Sequence, residues 1–422
     1  MKATLLTALT LLVALLPVSS SAYTPPENSA AMRFKELRTE AGFEAALAEL
    51  KQMADAPEGT WFLDERELRY AASELQWEGK FTEGIEMLEY LTGLYPESPV
   101  LWFVLGDAYI VEADRISAER RLLKALEIAP DFPNPRELLD NMDQFIAIAE
   151  TQLAWRGRFQ PGEATGVTGA YFGDTLPGET PEVFAEGIIS SSANEFSLTF
   201  HPKGNEIYVS RSGVGVLISK LTGDGWTEPE LVQFFEKPRF NDEPHLSPDG
   251  KSIFFNSRES IFEGREVFRA ERIGEGWAEP VKLFEGMYAT STLDGALFCT
   301  VTTGRPDYGV IGRYSPAGDG YSEPVIVDGG VNSEKLDAHP WVAPDESFVI
   351  FDSDRDGKLK MYVCFNVENS SWGEARELNE RLDIPYMCGQ ASMSPDMKYL
   401  FFCRHGDIWW VDAEQALSEL KQ

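Results

Sequence analysis

The chain has 422 residues, room for two ordinary domains, and 43% of them are hydrophobic, enough for a real core. Its 69 acidic residues against 37 basic ones give a net charge of −32. That balance excludes nucleic acid and anionic membrane surfaces as partners, and it suits solubility, a cationic partner or divalent ions.

The first 22 residues read as a secretory signal peptide. Lys2 supplies the positive start, Leu5 to Leu16 the apolar run, and Ser20-Ser21-Ala22 the small residues before a cut at Tyr23. No cysteine follows the cut, which argues against a lipid anchor, and no later run is long enough to span a bilayer. The expected protein is therefore periplasmic or secreted, without membrane insertion.

Residues 31–157 are rich in Ala, Leu and Glu at helical spacing. Trp102, Leu105, Gly106 and Tyr109 fit W-x-x-L-G-x-x-Y, and Ala118, Leu122, Ala125 and Pro130 follow. This segment resembles a tetratricopeptide repeat, with Leu122 where the family usually has an aromatic residue. Gly106 and Ala118 would let two helices approach closely, and Pro130 would end the second. Pro96 precedes Pro130 by 34 residues, the repeat length. A degenerate copy covers Glu65 to Ser98, with Leu68, Ala71, Leu88 and Leu91 at its apolar positions. A further pair starts near Arg33, and a helix from Pro135 to Trp155 is expected as the cap. The resemblance implies a short superhelix that binds a protein or peptide in its concave face. Residues 158–180 read as a Gly- and Thr-rich linker.

From residue 181 a strand–turn–strand pattern recurs. Its clearest copy is Asp242 to Arg258, where Ser247-Pro248-Asp249-Gly250 is strong turn chemistry before Ile253-Phe254-Phe255. The turn position recurs at Pro202, Pro248, Leu293, Pro344 and Pro395, so the intervals are 46, 45, 51 and 51 residues. Periods of roughly 40–50 residues with about four strands each mark propeller blades. Trp226, Trp277, Tyr321 and Trp372 open a second marker that precedes each outermost strand. The last hairpin lacks this marker. The segment near Val183 resembles the run after Pro280, so it is expected to complete the last blade and close the ring.

The fold class is therefore multidomain α plus all-β: a tetratricopeptide-like helical array, then a five-bladed β-propeller over 181–415 closed by an N-terminal strand. The repeats resemble the Pro-Asp propeller repeats of TolB-type periplasmic proteins over about residues 181–411. Copies depart from that motif: Lys203 stands for Asp, Leu293 for Pro, and Glu346 and Met397 for Gly.

No familiar catalytic motif is present. Aligning the blades on their turns gives a ring of Ser197, Glu243, Tyr288, His339 and Gln390 on the innermost strands. Two residues on stand Thr199, His245, Thr290, Trp341 and Ser392, and the residues between are apolar. Alternation directs these polar sets to the central channel. The plain reading is the polar lining of a water-filled channel. The sharper reading is a ligand site at Ser197, Glu243, His245, Tyr288, His339, Trp341 and Gln390. A divalent metal on Glu243, His245 and His339 is possible within it, since imidazole and carboxylate suit a transition metal; no other cofactor is expected.

Five-bladed propellers also resemble one group of glycoside hydrolases, which need paired carboxylates. The inner-strand carboxylates here are Asp242, Glu243 and Asp337, but Asp242 and Glu243 would point to opposite faces of a regular strand and Asp337 lies at a strand start. The run Asp352 to Gly357 alternates carboxylates and reads as a surface turn rather than a calcium loop. Cys388 and Cys403 flank one hairpin and would pair as a disulfide if its turn is regular; a bulge would separate them. Cys299 and Cys364 read as buried strand residues. The pattern favours a non-enzymatic binding or scaffolding protein of the cell envelope, with a protein or peptide partner. The alternative is a channel-mouth enzyme or binding protein acting on carbohydrate.

Overall fold

A computed structural model describes residues 25–421 except 238, 260–263, 303–308, 369–370 and 385–387. The signal segment, Met1 to Ala22, lies outside the described residues. The described chain divides after Ala154 into a helical unit and a β unit. Among the described residues no helix is long and apolar enough to cross a membrane.

The helical unit is a run of paired helices: α1 (Ala30–Ala41), α2 (Phe43–Ala54), α3 (Glu65–Trp77), α4 (Phe81–Leu94), α5 (Pro99–Val111), α6 (Arg115–Ile128), α7 (Pro133–Asp140) and α8 (Met142–Trp155). The first helix of each pair starts at 30, 65, 99 and 133, giving steps of 35, 34 and 34. Capping sets these starts. Ser29, Asp64 and Ser98 each accept a hydrogen bond from the third residue of the helix that follows. Ser98 and Ser29 also donate to Glu65 and Glu67 of α3, at 2.9 and 2.6 Å, which ties successive pairs together.

Gly106 does what its motif predicts. A Cβ there would lie 2.8 Å from the Leu122 side chain, so α5 and α6 touch at a distance only glycine allows. The expected cap, one helix from Pro135 to Trp155, is instead two. Asn141 ends α7 by donating its side-chain amide to the Glu137 carbonyl at 3.0 Å, a local bond that competes with helix continuation.

The β unit is five antiparallel blades around an axis. Their innermost strands are Glu195–Phe200, Phe240–Leu246, Met287–Ser291, Asp337–Val342 and Cys388–Met393. Blades 1 to 4 run outward in chain order to the short strands Glu230–Leu231, Val281–Glu285, Val325–Ile326 and Arg376–Glu377. Among the described residues blade 5 has three strands of its own and no outer one. Glu182–Val183 supplies it, pairing antiparallel with Trp410 and Trp409, so the ring closes with the strand the sequence nominates. The blades pack through apolar faces, such as Phe298 and Ile311 of blade 3 on Phe351 and Tyr362 of blade 4.

The expected linker is not a free connection. On the rim of blade 1 the Thr165 N–H donates to the Trp226 carbonyl and the Trp226 N–H to the Val167 carbonyl, both at 2.8 Å, and the Trp226 indole donates to the Gly169 carbonyl at 2.8 Å. Phe172 stacks on Trp226 at 4.5 Å and is buried. Residues 164–174 form a strap fastened to the propeller.

Candidate functional site

Every innermost strand carries a β-bulge at the same place. The register shifts between Phe196 and Leu198, Asp242 and His245, Met287 and Thr290, Ala338 and Trp341, and Gly389 and Ser392. The residue inside each bulge has φ between 49° and 56°: Ser197, Glu243, Tyr288, His339 and Gln390. These are the five ring residues that the turn alignment nominates. The left-handed conformation is costly for any residue with a Cβ, so five copies mark a geometry that the surrounding packing enforces. The bulge turns each side chain onto the axis.

The axis is not a water-filled channel. All five ring residues are at most 4% exposed. Glu243, His339 and Gln390 form a connected hub instead. Glu243 accepts from the Asn256 amide at 2.7 Å and from the Gln390 amide at 3.2 Å. His339 Nδ1 bonds Asp352 at 2.7 Å, and its Nε2 faces Glu243 at 3.5 Å. Asp352 also accepts from the backbone N–H of Gln390 at 3.1 Å. Tyr288 crosses the axis and donates to the Ala391 carbonyl at 2.8 Å. Four blades meet in this network.

The charges follow from the contacts. Burial alone would lower the His339 pKa, but the hydrogen bonds and charges of Asp352 and Glu243 outweigh it and raise it to about 9. Burial raises Glu243, yet the His339 bond and the charges of Arg265, His339 and Arg258 hold its carboxyl below the ordinary value. Burial wins at Asp352, whose carboxyl is raised despite His339. An imidazolium between two carboxylates is the arrangement these contacts favour.

His245 does not join them. Its Nε2 accepts the Ser291 backbone N–H at 2.9 Å, and burial pushes its pKa down to about 3. That engages the lone pair a metal would need. The expected metal trio of Glu243, His245 and His339 is thus not assembled, and no group of three or more His, Cys, Asp or Glu among the described residues is placed to hold a metal ion. His245 and Trp341 instead line a recess with Glu243, Tyr288, Thr290 and Ser392. Its walls stand too close to admit a water-sized sphere.

Three further expectations change. The bulge removes the regular alternation assumed for Asp242 and Glu243: Glu243 enters the hub, and Asp242 lies 3.7 Å from Arg265. Asp337 does stand at its strand start, bonded to Arg355 at 2.8 Å and to Ser333. Asp352 is no surface-turn residue. It lies in the strand Phe348–Ser353 with 0% exposure. Its signal was available, because Ser210, Asn256, Thr300, Asp352 and Cys403 hold one register position across the five second strands. The Cys388–Cys403 disulfide is absent. The bulge at Gln390 sets Cys388 opposite Arg404 and Cys403 opposite Gly389, so the thiols fall on different faces and both are free.

No family model and no curated protein matches the sequence. Among solved structures, the chain is similar to a protein assigned as TolB from Agrobacterium tumefaciens, at 16% identity and a TM-score of 0.38, over 50% of this chain and 70% of that one. It is also similar to a gluconolactonase from Xanthomonas campestris, at 13% identity and a TM-score of 0.34, over 56% of this chain and 96% of that one. Likenesses of this size carry no argument about activity.

Proposed function

We propose that this is an exported, non-enzymatic binding or scaffolding protein of the cell envelope. Its helical pairs and its propeller would engage a protein or peptide. One observation carries the reading: the hub carboxylates are bonded within the propeller, Glu243 to the Asn256 and Gln390 amides and Asp352 to His339. Glu243, His339 and Asp352 are spent on holding blades together, whereas a hydrolase needs carboxylates that reach a bound substrate. The recurring helical pairs supply the other half, since such arrays commonly present a surface to a partner. The net charge of −32 favours a basic partner.

The test is co-purification from an envelope extract with the full mature chain, followed by titration of the captured protein in isolation. A single partner that binds the purified chain, and binds more weakly as salt rises, supports the proposal. Turnover of glycosides or lactones that is lost in Glu243→Gln would overturn it and favour the carbohydrate-directed alternative.

A further inference from the structure

The five joints between blades are not built alike. In the first kind of clasp, a second-strand side chain accepts the N–H of the next blade's bulge residue. Ser210 does so for Glu243 at 2.8 Å, Asn256 for Tyr288 at 3.3 Å, Thr300 for His339 at 2.9 Å and Asp352 for Gln390 at 3.1 Å. In the second kind, an inner-strand side chain accepts an N–H three residues past that bulge. Thr199 takes Leu246 at 3.2 Å, His245 takes Ser291 at 2.9 Å and Thr290 takes Val342 at 3.2 Å. Ion pairs reinforce the joint of blades 1 and 2, Arg272 with Glu206 at 2.6 Å, and that of blades 3 and 4, Arg313 with Glu346 at 2.7 Å.

The joint from blade 5 to blade 1 differs on both counts. Cys403 occupies the place of the first clasp, and its thiol lies 3.5 Å from the Glu195 carbonyl. Ser392 occupies the second, and its buried hydroxyl has no hydrogen-bond partner. A backbone bond from Glu195 to Gly406 at 2.7 Å does cross this joint, and the Ser190 hydroxyl, in the lead-in to blade 1, bonds the Ile408 backbone of blade 5 at 3.0 and 3.1 Å. Blade 5 is also the blade whose outer strand, Glu182–Val183, comes from the far end of the β unit rather than from its own run of chain.

The strap lies over this same joint. Tyr171 packs 5.9 Å from Phe200 of blade 1 and 5.2 and 5.7 Å from Tyr399 and Trp410 of blade 5. Phe172 bridges Trp226 and the Phe184 ring that follows the closing strand, at 4.5 and 5.8 Å. Both hold positive φ, 51° and 59°, a state that unlatched backbone would leave.

We infer that the joint between blades 5 and 1 is the propeller's opening point, and that the strap through Tyr171 and Phe172 is the latch that keeps it shut. Release of the strap frees the two-residue closing strand and lets blade 5 part from blade 1. The other joints keep at least one side-chain acceptor on an inner-strand N–H of the next blade and stay closed.

The molecule carries its own reporters. Its four cysteines are free and buried, and each faces a different joint. Cys299 packs with Phe254 and Val267 of blade 2, Cys364 with Phe298 of blade 3, Cys388 bonds Asn379 beside blade 4, and Cys403 faces Glu195 of blade 1. Native-state labelling of the full chain with a thiol reagent, read by peptide mass spectrometry, ranks the joints. Cys403 is expected to react first, and Phe172→Ala is expected to speed it about tenfold while leaving Cys299 and Cys364 unchanged. Equal rates at all four thiols, or equal acceleration of all four, would overturn the inference. Wild-type rates decide alone if the variant does not fold. Cys403→Ser is the converse test, since it restores a hydroxyl like that of Ser210. Hydrogen exchange in Glu195–Phe200 is then expected to slow, and unchanged exchange there counts against the inference.

Discussion

Replacing Asp352 with alanine tests whether the axis holds the propeller together. Asp352 is fully buried and bonds both the His339 imidazole, at 2.7 Å, and the Gln390 N–H, at 3.1 Å. The variant leaves the imidazolium with only Glu243, 3.5 Å away, and leaves a buried N–H without its acceptor. Breaking a buried pair by removing one partner costs about 3–5 kcal/mol, and an orphaned buried N–H about 1–3 kcal/mol. The two losses share one carboxylate and overlap, so we expect about 4 kcal/mol in all. Urea unfolding followed by tryptophan fluorescence measures it, since Trp226, Trp409 and Trp410 are core residues of the β unit. Asp319→Ala, on an exposed hairpin, is the control and should stay within about 0.5 kcal/mol of the parent. The pH profile gives a second readout. His339 has a folded pKa of about 9, above its ordinary 6.5, so its stabilisation is complete below 6.5 and is lost as pH rises through 9. The parent should weaken over that window, and Asp352→Ala should weaken less. A variant within about 1 kcal/mol of the parent, with the parent's alkaline profile, would refute the hub.

Two further predictions concern single positions. His245 behaves oppositely to His339: burial puts its folded pKa at about 3, below 6.5, so its contribution is present above 6.5 and is lost as pH falls toward 3. His245→Thr copies Thr199 and Thr290 at the matching positions and does not titrate. Its acid-side stability loss should therefore be shallower by up to about 1.4 kcal/mol per pH unit, and identical acid profiles would count against the burial argument. Met397 has φ of 62° at a turn position where Gly204, Gly250 and Gly295 stand in other blades. Met397→Gly should raise stability by about 1 kcal/mol in the same urea assay, because glycine enters that region without steric cost. No gain would mean that the half-exposed methionine side chain contributes as much packing as its backbone strain costs.

The turn repeat made blade number and ring closure legible, because Pro-Asp-Gly chemistry and the outer-strand marker are both local. The helical period was legible from the 34-residue step between Pro96 and Pro130, and the close pairing of two helices from Gly106, where a Cβ would lie 2.8 Å from the Leu122 side chain. The ring positions were also legible, but their environment was not. Period-two alternation assigns faces correctly only while the strand is regular, and each inner strand breaks its register at the ring residue itself. That single irregularity changes a lined channel into a filled axis. It separates Cys388 from Cys403, and it brings Glu243 inward past Asp242.

Asp352 was missed for a different reason. Its neighbours Ser353, Asp354 and Asp356 look like a solvated loop, and a carboxylate's destination depends on its partner more than on its neighbours in sequence. His339 and Asp352 lie 13 residues apart, on two strands of one hairpin, and each makes the other's burial tolerable. Cys403 holds the same register position as Asp352 one blade later, where no imidazole awaits it. One fold position thus clasps blade 4 to blade 5 through the Asp352 carboxylate and leaves only a thiol facing blade 1 from blade 5. The repeat fixes where a side chain points, and the individual residue decides whether that place binds the ring or lets it open.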